Sequence, residues 1–404
     1  METFLMQFGG DQSLISILYF VLLIVFFFFY PRLLVTQIMW KLEKTAKDME
    51  DMSASTKRFI TKTITSKPTK ELKESVNRFF EFFVITPVAL DPYGIVRKFD
   101  HVIQNEKERF SYFAGQVAPK LDKEKRANLE MGLAGGIALH ELSKIIRHYV
   151  ELVRKTKSYQ IAMILQMQMP LIERIAKSLY VGSKALARGE PVGDGLGPLV
   201  VADMMGKKTA REIEEDIIAA SVKVEGRNVF LVKAKGPGGR IGRPGKAIEK
   251  LAGNHKIVRI ITIDAAAKLE GEKTGSVAEG VGVAMGGPGV DRSYIEDVIV
   301  KRNIPIDSII VKMSPEEAIM PMRKAVKDAI PAVKESIKRS LARTKKGDNI
   351  IILGVGNTSG VGNSARAAND VRAWVDKHER KLQQMKKAKK RKKGLMDNLE
   401  MEEN

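Results

Sequence analysis

The sequence contains no cysteine in its 404 residues. This absence excludes disulfide bonds, thiolate metal sites and a cysteine nucleophile. Histidine is also scarce: the chain has five, and three of them, His101, His140 and His148, fall in the helical region 41–190. His140 and His148 stand two helical turns apart and lack the H-E-x-x-H spacing of a zinc protease, so we interpret them, with His101, as structural residues.

Acidic residues are fewer than basic residues. The chain has 68 Lys and Arg against 48 Asp and Glu, which gives a net charge of +20 and predicts attraction to polyanions. Part of this charge lies in "KKAKKRKK" (386–393), which we assign to a basic disordered tail at 381–404. The tail predicts contacts with anionic lipid, ribosomes or RNA. Because no aromatic-basic surface stands out, any RNA contact is expected to be electrostatic.

Charge is absent altogether from "SLISILYFVLLIVFFFFY" (13–30), which is long enough for a transmembrane helix. No basic region precedes the run and no small-residue cleavage site follows it, which disfavours a signal peptide. Arg32, Lys41, Lys44 and Lys47 follow the run. The positive-inside rule then predicts a single-pass anchor at 1–40, with the N-terminus outside and the rest of the chain in the cytoplasm of the cell.

Residues 41–190 predict an all-α domain, because apolar residues recur at helical spacing among Lys and Glu. The region gives no clear heptad pattern. Assembly of this region and the anchor into a homo-oligomer is therefore an alternative that the sequence leaves open.

Residues 191–380 change to β-branched apolar runs separated by glycine-rich turns and amphipathic helices. Strands are predicted at 228–234, 256–265, 277–285, 307–313 and 349–357. Their alternation with helices predicts a three-layer α/β domain with a mainly parallel sheet. In such domains functional groups collect in loops at the carboxyl ends of the strands.

Four loops stand out at the predicted carboxyl ends of the strands: "GDGLGP", "KGPGGRIGRPG", "IDAA" and the "GVGN" that follows the last strand. The first three occur in this order between residues 190 and 320, and they resemble the corresponding motifs of the spore germination endopeptidase family. The hydrogenase-maturation endopeptidases share that fold, which is phosphorylase/hydrolase-like. The resemblance implies a peptidase-like domain acting on a peptide or protein substrate.

One departure from that family concerns strand order. The relatives place a Gly-x-Gly-Asn strand immediately before the aspartate turn, whereas here "GVGN" occurs only at 354–357. Our hypothesis is a circular permutation that moves this strand to the C-terminus. It places Asn357 and Asn363 beside Asp194.

Carried over residue by residue, the resemblance implies that Asp194 and Asp264 form an aspartic-type catalytic pair. Two carboxyl groups held close together cannot both ionise easily, so one keeps a proton and the other can deprotonate water. Gly193, Gly195 and Gly197 are then expected to offer backbone donors to a substrate. The loop glycines Gly238 and Gly239 are expected to contact the substrate backbone.

Other interpretations of these residues stay open. Asp194 can be a helix N-cap and Asp264 a loop-bonding residue without any catalytic role. Arg240 and Arg243 can serve a weak anion site at a helix N-terminus, although the P-loop lysine and the dinucleotide spacing are absent. We predict no cofactor. The relatives' metal version requires a late histidine, and His378 alone follows Asp264, so we predict no metal either.

The whole chain also resembles an archaeal membrane-anchored family known as domain of unknown function number 1512. That resemblance supplies topology and no activity. A non-catalytic membrane adaptor or scaffold, recruiting its partners through the basic tail, is therefore the alternative function.

Overall fold

A computed structural model describes residues 2–88 and 94–402, and the side chains of residues 17–27, 30, 33–88 and 94–388. The chain divides into two compact units. One comprises Met1–Ser55 with Ala138–Lys177, and the other comprises Thr56–Ile137 with Ser178–Asn404. The second unit therefore combines part of the helical region with the whole of the region that follows it.

The N-terminal region is all-helical, as the amphipathic pattern predicts. Its described part contains α1 (Glu2–Ile64), α2 (Lys70–Phe79), α3 (Ile95–Val117), α4 (Lys123–Thr156) and α5 (Tyr159–Arg188). Within the second unit, fully buried Phe80 packs with Ile60 and Leu133. A methyl group at Gly136 would lie 2.8 Å from the Phe80 ring, so the glycine allows α4 to approach this cluster closely.

The predicted transmembrane anchor lies in α1. The side chains from Ile17 to Phe27 are all exposed, with 42% to 71% of their surface accessible. Across the residues that the structure describes, no helix combines the length and apolar character needed to cross a bilayer. The predicted span at 13–30 falls partly outside the description, because the side chains of residues 13–16, 28 and 29 do not belong to it.

The C-terminal region is a mixed sheet covered by helices. Its described strands have the order β1-β2-β3-β7-β4-β6-β5. They are β1 (Arg211–Glu214), β2 (Ile217–Val224), β3 (Arg227–Ala234), β4 (Ile257–Ala267), β5 (Val277–Val281), β6 (Ile306–Met313) and β7 (Asn349–Gly354). Strands β3, β7, β4 and β6 are parallel, which agrees with the prediction for the centre of the sheet. Strands β1, β2 and β5 are antiparallel to their neighbours, so the sheet is mixed rather than mainly parallel.

The β1–β2 pair is an element that the sequence analysis missed. Its burial is uneven, and charged or polar residues occupy the exposed positions, so the apolar alternation of a strand is weak here. The turn into β3 has positive φ at Glu225 (49°) and Gly226 (82°), which is the geometry that joins tight hairpins. At the other edge, β5 stops four residues earlier than predicted because Gly282, with φ of 104°, ends it.

Helices cover both faces of the sheet. They are α6 (Leu196–Met204), α7 (Pro244–Asn254), α8 (Val290–Arg302), α9 (Pro315–Ile319), α10 (Lys324–Lys327), α11 (Ile330–Ala342) and α12 (Ala365–Glu402). One core lies between the sheet and α6, α11 and α12. The other core lies between the sheet and α7 and α8. This is the three-layer arrangement that alternating strands and helices predict.

Two helical segments differ from their sequence patterns. The segment 316–343 has an amphipathic helical pattern, but Pro321 pairs with Val192 in an isolated β-bridge and divides it into α9, α10 and α11. Proline inside a helix removes a hydrogen bond and clashes with the preceding turn, which explains the break. Helix α12 continues to Glu402, through the residues for which a disordered tail was predicted. Lys and Arg are good helix formers, and this run contains no proline.

The last strand of the chain occupies the middle of the sheet. β7 lies between β3 and β4, and its residues 350–354 are buried. Such a strand is expected from the uninterrupted apolar sequence "IIIL", because a central parallel strand is covered on both faces. This insertion brings the loop after β7 to the same edge of the sheet as Asp264.

Candidate functional site

Asp194 lies in a one-turn 3₁₀ helix, Gly193–Gly195, that leads into α6. The start of α6 presses against the sheet: a methyl group at Gly197 would lie 2.4 Å from the Val355 carbonyl oxygen and 2.5 Å from that of Ile263. Only glycine permits this approach. It fixes Asp194 above the carboxyl ends of β7 and β4.

The carboxylate of Asp194 has one hydrogen-bond donor in the described structure. The backbone N–H of Asn357 donates to its Oδ2 at 2.7 Å. Burial raises the pKa of Asp194, and this hydrogen bond opposes the rise only in part. The aspartate is thus held by the loop after β7 without any basic partner to neutralise it.

Asp264 lies in the second half of β4 and is 5% exposed. Its Oδ1 accepts a hydrogen bond from the backbone N–H of Ala265 at 2.7 Å. Burial raises the pKa of Asp264 to about 7, and the negative charge of Asp194 adds to the rise. Backbone hydrogen bonds from Ala265 and Gly286 act in the opposite direction. The fold therefore brings the two sequence-predicted aspartates within electrostatic reach of each other.

Both aspartates line one cavity of about 510 Å³. Its apolar wall includes Ile103, Phe110, Met131, Ile217 and Met285. A cavity of this size, with an apolar lining and a few convergent polar groups, has the character of a binding site. Its charged lining is mostly acidic: Asp100, Glu106, Glu130, Asp194, Asp216, Asp264 and Asp291 against Lys107, Arg240 and Arg243.

Helices α3 and α4 form the cavity wall that faces the sheet and its loops. Lys107 of α3 donates to Asp216 at 2.7 Å, and Asp100 of α3 forms an ion pair with Arg243. Glu124 of α4 pairs with Arg240 at 2.5 Å. These contacts join the helical segment 95–137 to the sheet region inside the second unit.

The glycine-rich loop after β3 is held by α4. The N–H of Gly238 donates to Glu124 Oε2 at 2.6 Å, and the N–H of Gly239 donates to Asn128 Oδ1 at 2.7 Å. A contact of these two glycines with a substrate backbone therefore cannot use their N–H groups. Both donors are already used within the protein.

Contacts within the protein also bear on three further predictions. The N–H groups of Gly193 and Gly195 donate to the carbonyls of Met320 and Val192, so neither can serve a substrate. The guanidinium groups of Arg240 and Arg243 bind carboxylates, which disfavours a phosphate site at this loop. Gly197 acts through its close packing on the sheet.

The two predicted asparagines have different places. The backbone of Asn357 holds Asp194, and its side-chain Oδ1 accepts from the Ser359 N–H at 2.8 Å. Asn363 lies instead below the loop after β3, where it accepts from Gly236 N–H at 2.9 Å and donates to Gly236 O at 2.7 Å. The geometry therefore brings Asn357 to Asp194 through its backbone and leaves Asn363 as a support of the neighbouring loop.

Lys233 is a buried group that the sequence analysis missed. It has no exposed surface, and its Nζ donates to Ala234 O at 2.8 Å and to Asn363 Oδ1 at 2.9 Å. Burial lowers the pKa of Lys233 to about 7. A lysine inside the apolar strand "NVFLVKA" was the available signal, because burial of an unpaired charge is costly. Glu124, Asn128 and Glu130 had no such signal, since each looks like an ordinary polar position on an amphipathic helix.

Metal binding finds no support in the described part of the chain, where no group of three or more His, Cys, Asp or Glu side chains could hold an ion.

Fold and cavity together define a protein with an all-helical N-terminal region and a mixed α/β C-terminal domain whose cavity is lined by two aspartates, Asp194 and Asp264. The chain belongs to the DUF1512 family. Residues 16–189 match the model described as "Protein of unknown function (DUF1512) N-terminal domain", and residues 192–362 match "Domain of unknown function (DUF1512) C-terminal". No curated protein and no solved structure matches the chain.

Proposed function

We propose that the protein is an aspartic-type endopeptidase that uses Asp194 and Asp264. The observation that carries the proposal is that Asp264, which is buried, and Asp194, which is partly buried, line one cavity. There the charge of Asp194 helps to raise the pKa of Asp264 to about 7. Strongly perturbed acids in a cavity are typical of functional sites. A purely structural aspartate pair would gain from a basic partner, and neither carboxylate has one in the described structure.

The chemistry follows from one proton divided between the two carboxyl groups. The ionised group takes a proton from water as the water oxygen bonds to the scissile carbonyl carbon, and the protonated group donates its proton to the carbonyl oxygen. When the intermediate collapses, the C–N bond breaks and the proton taken from water goes to the leaving nitrogen. The second proton returns from the gem-diol to the other carboxylate. The pair ends with one proton, as it began.

The surroundings suit this reaction. Carbonyl activation is assigned to the protonated aspartate, because the N–H groups of Gly193 and Gly195 are engaged elsewhere. The apolar wall limits water around the carboxyl groups, and low local polarity strengthens their interaction. With a pKa near 7, Asp264 keeps its proton up to neutral pH, so the pair is expected to work at weakly acidic to neutral pH.

Circular permutation belongs to the same proposal. The position of β7 between β3 and β4, and the bond from Asn357 N–H to Asp194, support the idea that this strand replaces the one that precedes the aspartate turn in germination endopeptidases.

The test compares full-length wild-type protein with Asp194→Asn, Asp264→Asn and the matched surface control Asp370→Asn. Asp370 is exposed on α12 and lies outside the cavity lining. Peptides from a digested proteome are incubated with each protein, and new termini are counted by mass spectrometry. We expect cleavage by wild type and by the control, and a loss of at least a hundredfold in both site variants, which corresponds to about 3 kcal/mol of transition-state stabilisation. Equal cleavage by all four proteins, or none by wild type, contradicts the proposal.

We also propose that α1 tethers the protein to a membrane, with the N-terminus outside and the bulk of the chain in the cytoplasm. The exposed apolar side chains from Ile17 to Phe27 support this placement, because a water-exposed run of this kind is otherwise unfavourable. Full-length protein should sediment with membranes and resist extraction by carbonate, whereas a chain lacking residues 2–40 should not. Sedimentation of both forms contradicts the tether.

The adaptor function is the second candidate, supported by the exposed lysines Lys386 and Lys387 at the start of the basic run. Deletion of residues 386–393 should abolish salt-sensitive binding to RNA, ribosomes or anionic vesicles. Binding that survives the deletion excludes the tail as the recruiting element. If the tail recruits and the aspartate variants cleave as well as wild type, the adaptor is the better account.

A further inference from the structure

The three basic groups in the cavity lining are already neutralised by neighbouring acids. Lys107 and Arg240 both pair with Asp216, at 2.7 Å and 3.2 Å, and Arg243 pairs with Asp100. The seven carboxyl groups of the lining thus exceed the available positive charge even when the catalytic pair keeps one proton. In a chain of net charge +20, this cavity is a local region of negative potential.

Glu130 of α4 is a carboxyl group in the lining that lies outside the catalytic pair and has few polar contacts. Its side chain is partly buried, and the Ser111 hydroxyl donates a hydrogen bond to it. Burial raises the pKa of Glu130, although the charges of Lys107 and Arg240 oppose the rise. No ion pair to Glu130 occurs among the described residues, so its negative charge is only partly compensated in the ligand-free protein.

We propose that the cavity binds a peptide through an arginine or lysine side chain of that peptide, and that Glu130 is the carboxylate that recognises it. The identity of the ligand as a peptide rests on the proposed endopeptidase function. The recognition of a cationic group rests on the lining itself: an excess of carboxyl groups, basic residues that are all paired, and Glu130, which forms no ion pair among the described residues.

The shape and lining of the cavity favour a long organic cation over other ligands. Ile103 and Phe110 of α3 and Met131 of α4 form an apolar surface, and α4 also carries Glu130. The aliphatic stem of lysine or arginine packs on such a surface while its charged end reaches a carboxylate. A compact metal ion lacks a converging ligand set in the described residues, and an anion would face the excess of carboxylates.

The experiment measures binding separately from cleavage. All proteins carry Asp264→Asn, which blocks the proposed reaction, and the ligands are five-residue alanine peptides with one central residue varied. Arginine is compared with citrulline, which has nearly the same shape without the charge, and lysine with norleucine. Binding is followed by calorimetry on the full-length chain. The test variant adds Glu130→Gln, and the control adds Glu108→Gln, which removes an exposed acid from α3 outside the lining.

We expect the arginine peptide to bind at least tenfold more tightly than the citrulline peptide, with a similar ratio for lysine over norleucine. Glu130→Gln should reduce these ratios to less than threefold, and Glu108→Gln should leave them unchanged. Because glutamine removes a partly buried charge and keeps the shape, the melting temperature of Glu130→Gln should equal or exceed that of its parent. Equal binding of charged and neutral peptides, or discrimination that survives Glu130→Gln, overturns the inference.

Cleavage separates this inference from the proposed function. Wild-type protein that binds arginine peptides selectively but cuts none of them supports cation recognition and contradicts the endopeptidase. Wild-type protein that cuts arginine and citrulline peptides at equal rates supports the endopeptidase and contradicts Glu130 as its specificity residue.

Discussion

Substituting Asp264 with asparagine should stabilise the protein, and the gain should depend on pH. The pKa of Asp264 is about 7 in the folded protein against an ordinary value of 3.8. This difference corresponds to about 4 kcal/mol of unfavourable ionisation in the native state. Asparagine can keep the hydrogen bond from Ala265 N–H and cannot ionise, so it avoids that penalty.

The sign of the pH dependence follows from proton binding. Between pH 4 and 7 the folded state holds a proton on Asp264 that the unfolded state has released. Stability of the wild type therefore falls as pH rises through this window, by about 1.4 kcal/mol per pH unit, and the loss is complete above pH 7. Asp264→Asn lacks this term. Its free energy of unfolding should exceed that of wild type by about 4 kcal/mol at pH 8 and by nearly zero at pH 4.

The assay can report on the unit that contains the site. Trp374 packs against the core under α12, and replacing Trp40 with phenylalanine leaves it as the sole tryptophan. Urea unfolding followed by Trp374 fluorescence at several pH values gives the required free energies, with Asp370→Asn as a charge control. A gain that is absent, or equal at pH 4 and pH 8, would refute the reasoning.

Two further predictions concern the supports of the site. Gly197→Ala should destabilise this unit by about 3 kcal/mol or more, because the new methyl group would meet backbone oxygens at 2.4 Å and 2.5 Å. The control is Gly253→Ala in α7, where the new methyl group would have no atom within 4 Å. This control should stabilise the protein by about 0.5 to 1 kcal/mol. Similar urea midpoints for the two variants would contradict the close packing at Gly197. Asn363→Ala should cost about 2 to 4 kcal/mol, because it removes one of the two partners of Lys233 Nζ and both hydrogen bonds that Asn363 makes to the Gly236 backbone. The exposed Asn369→Ala on α12 should cost less than about 0.5 kcal/mol, and equal losses would show that Asn363 is no special support.

The sheet could be predicted where the sequence carries long apolar runs. Strands β3, β4, β6 and β7 all have such runs, and their parallel pairing follows from the helices between them. The β1–β2 hairpin could not be found in this way, because the edge strand β1 is mostly charged and the burial of β2 does not alternate regularly. The break at Pro321 depends on its bridge with Val192, a contact between distant segments that local patterns do not contain.

The site was predictable only in part for a similar reason. Asp194 and Asp264 stand in glycine-rich or strand-end positions that local sequence marks out, and the fold brings them together. The roles of the nearby donors were not predictable, because they depend on which atoms meet in space. Glu124 and Asn128 occupy the N–H groups of Gly238 and Gly239, and both come from a helix whose own sequence gives no reason to expect that contact.

The most direct measurement of the central claim is the titration of the Asp264 carboxyl carbon by nuclear magnetic resonance in wild-type protein and in Asp194→Asn. A shared proton predicts that Asp264 titrates near pH 7 in the wild type and at a clearly lower pH once the charge of Asp194 is gone. Titration near pH 4 in the wild type, or an Asp264 curve that does not move when Asp194 is replaced, would contradict the account.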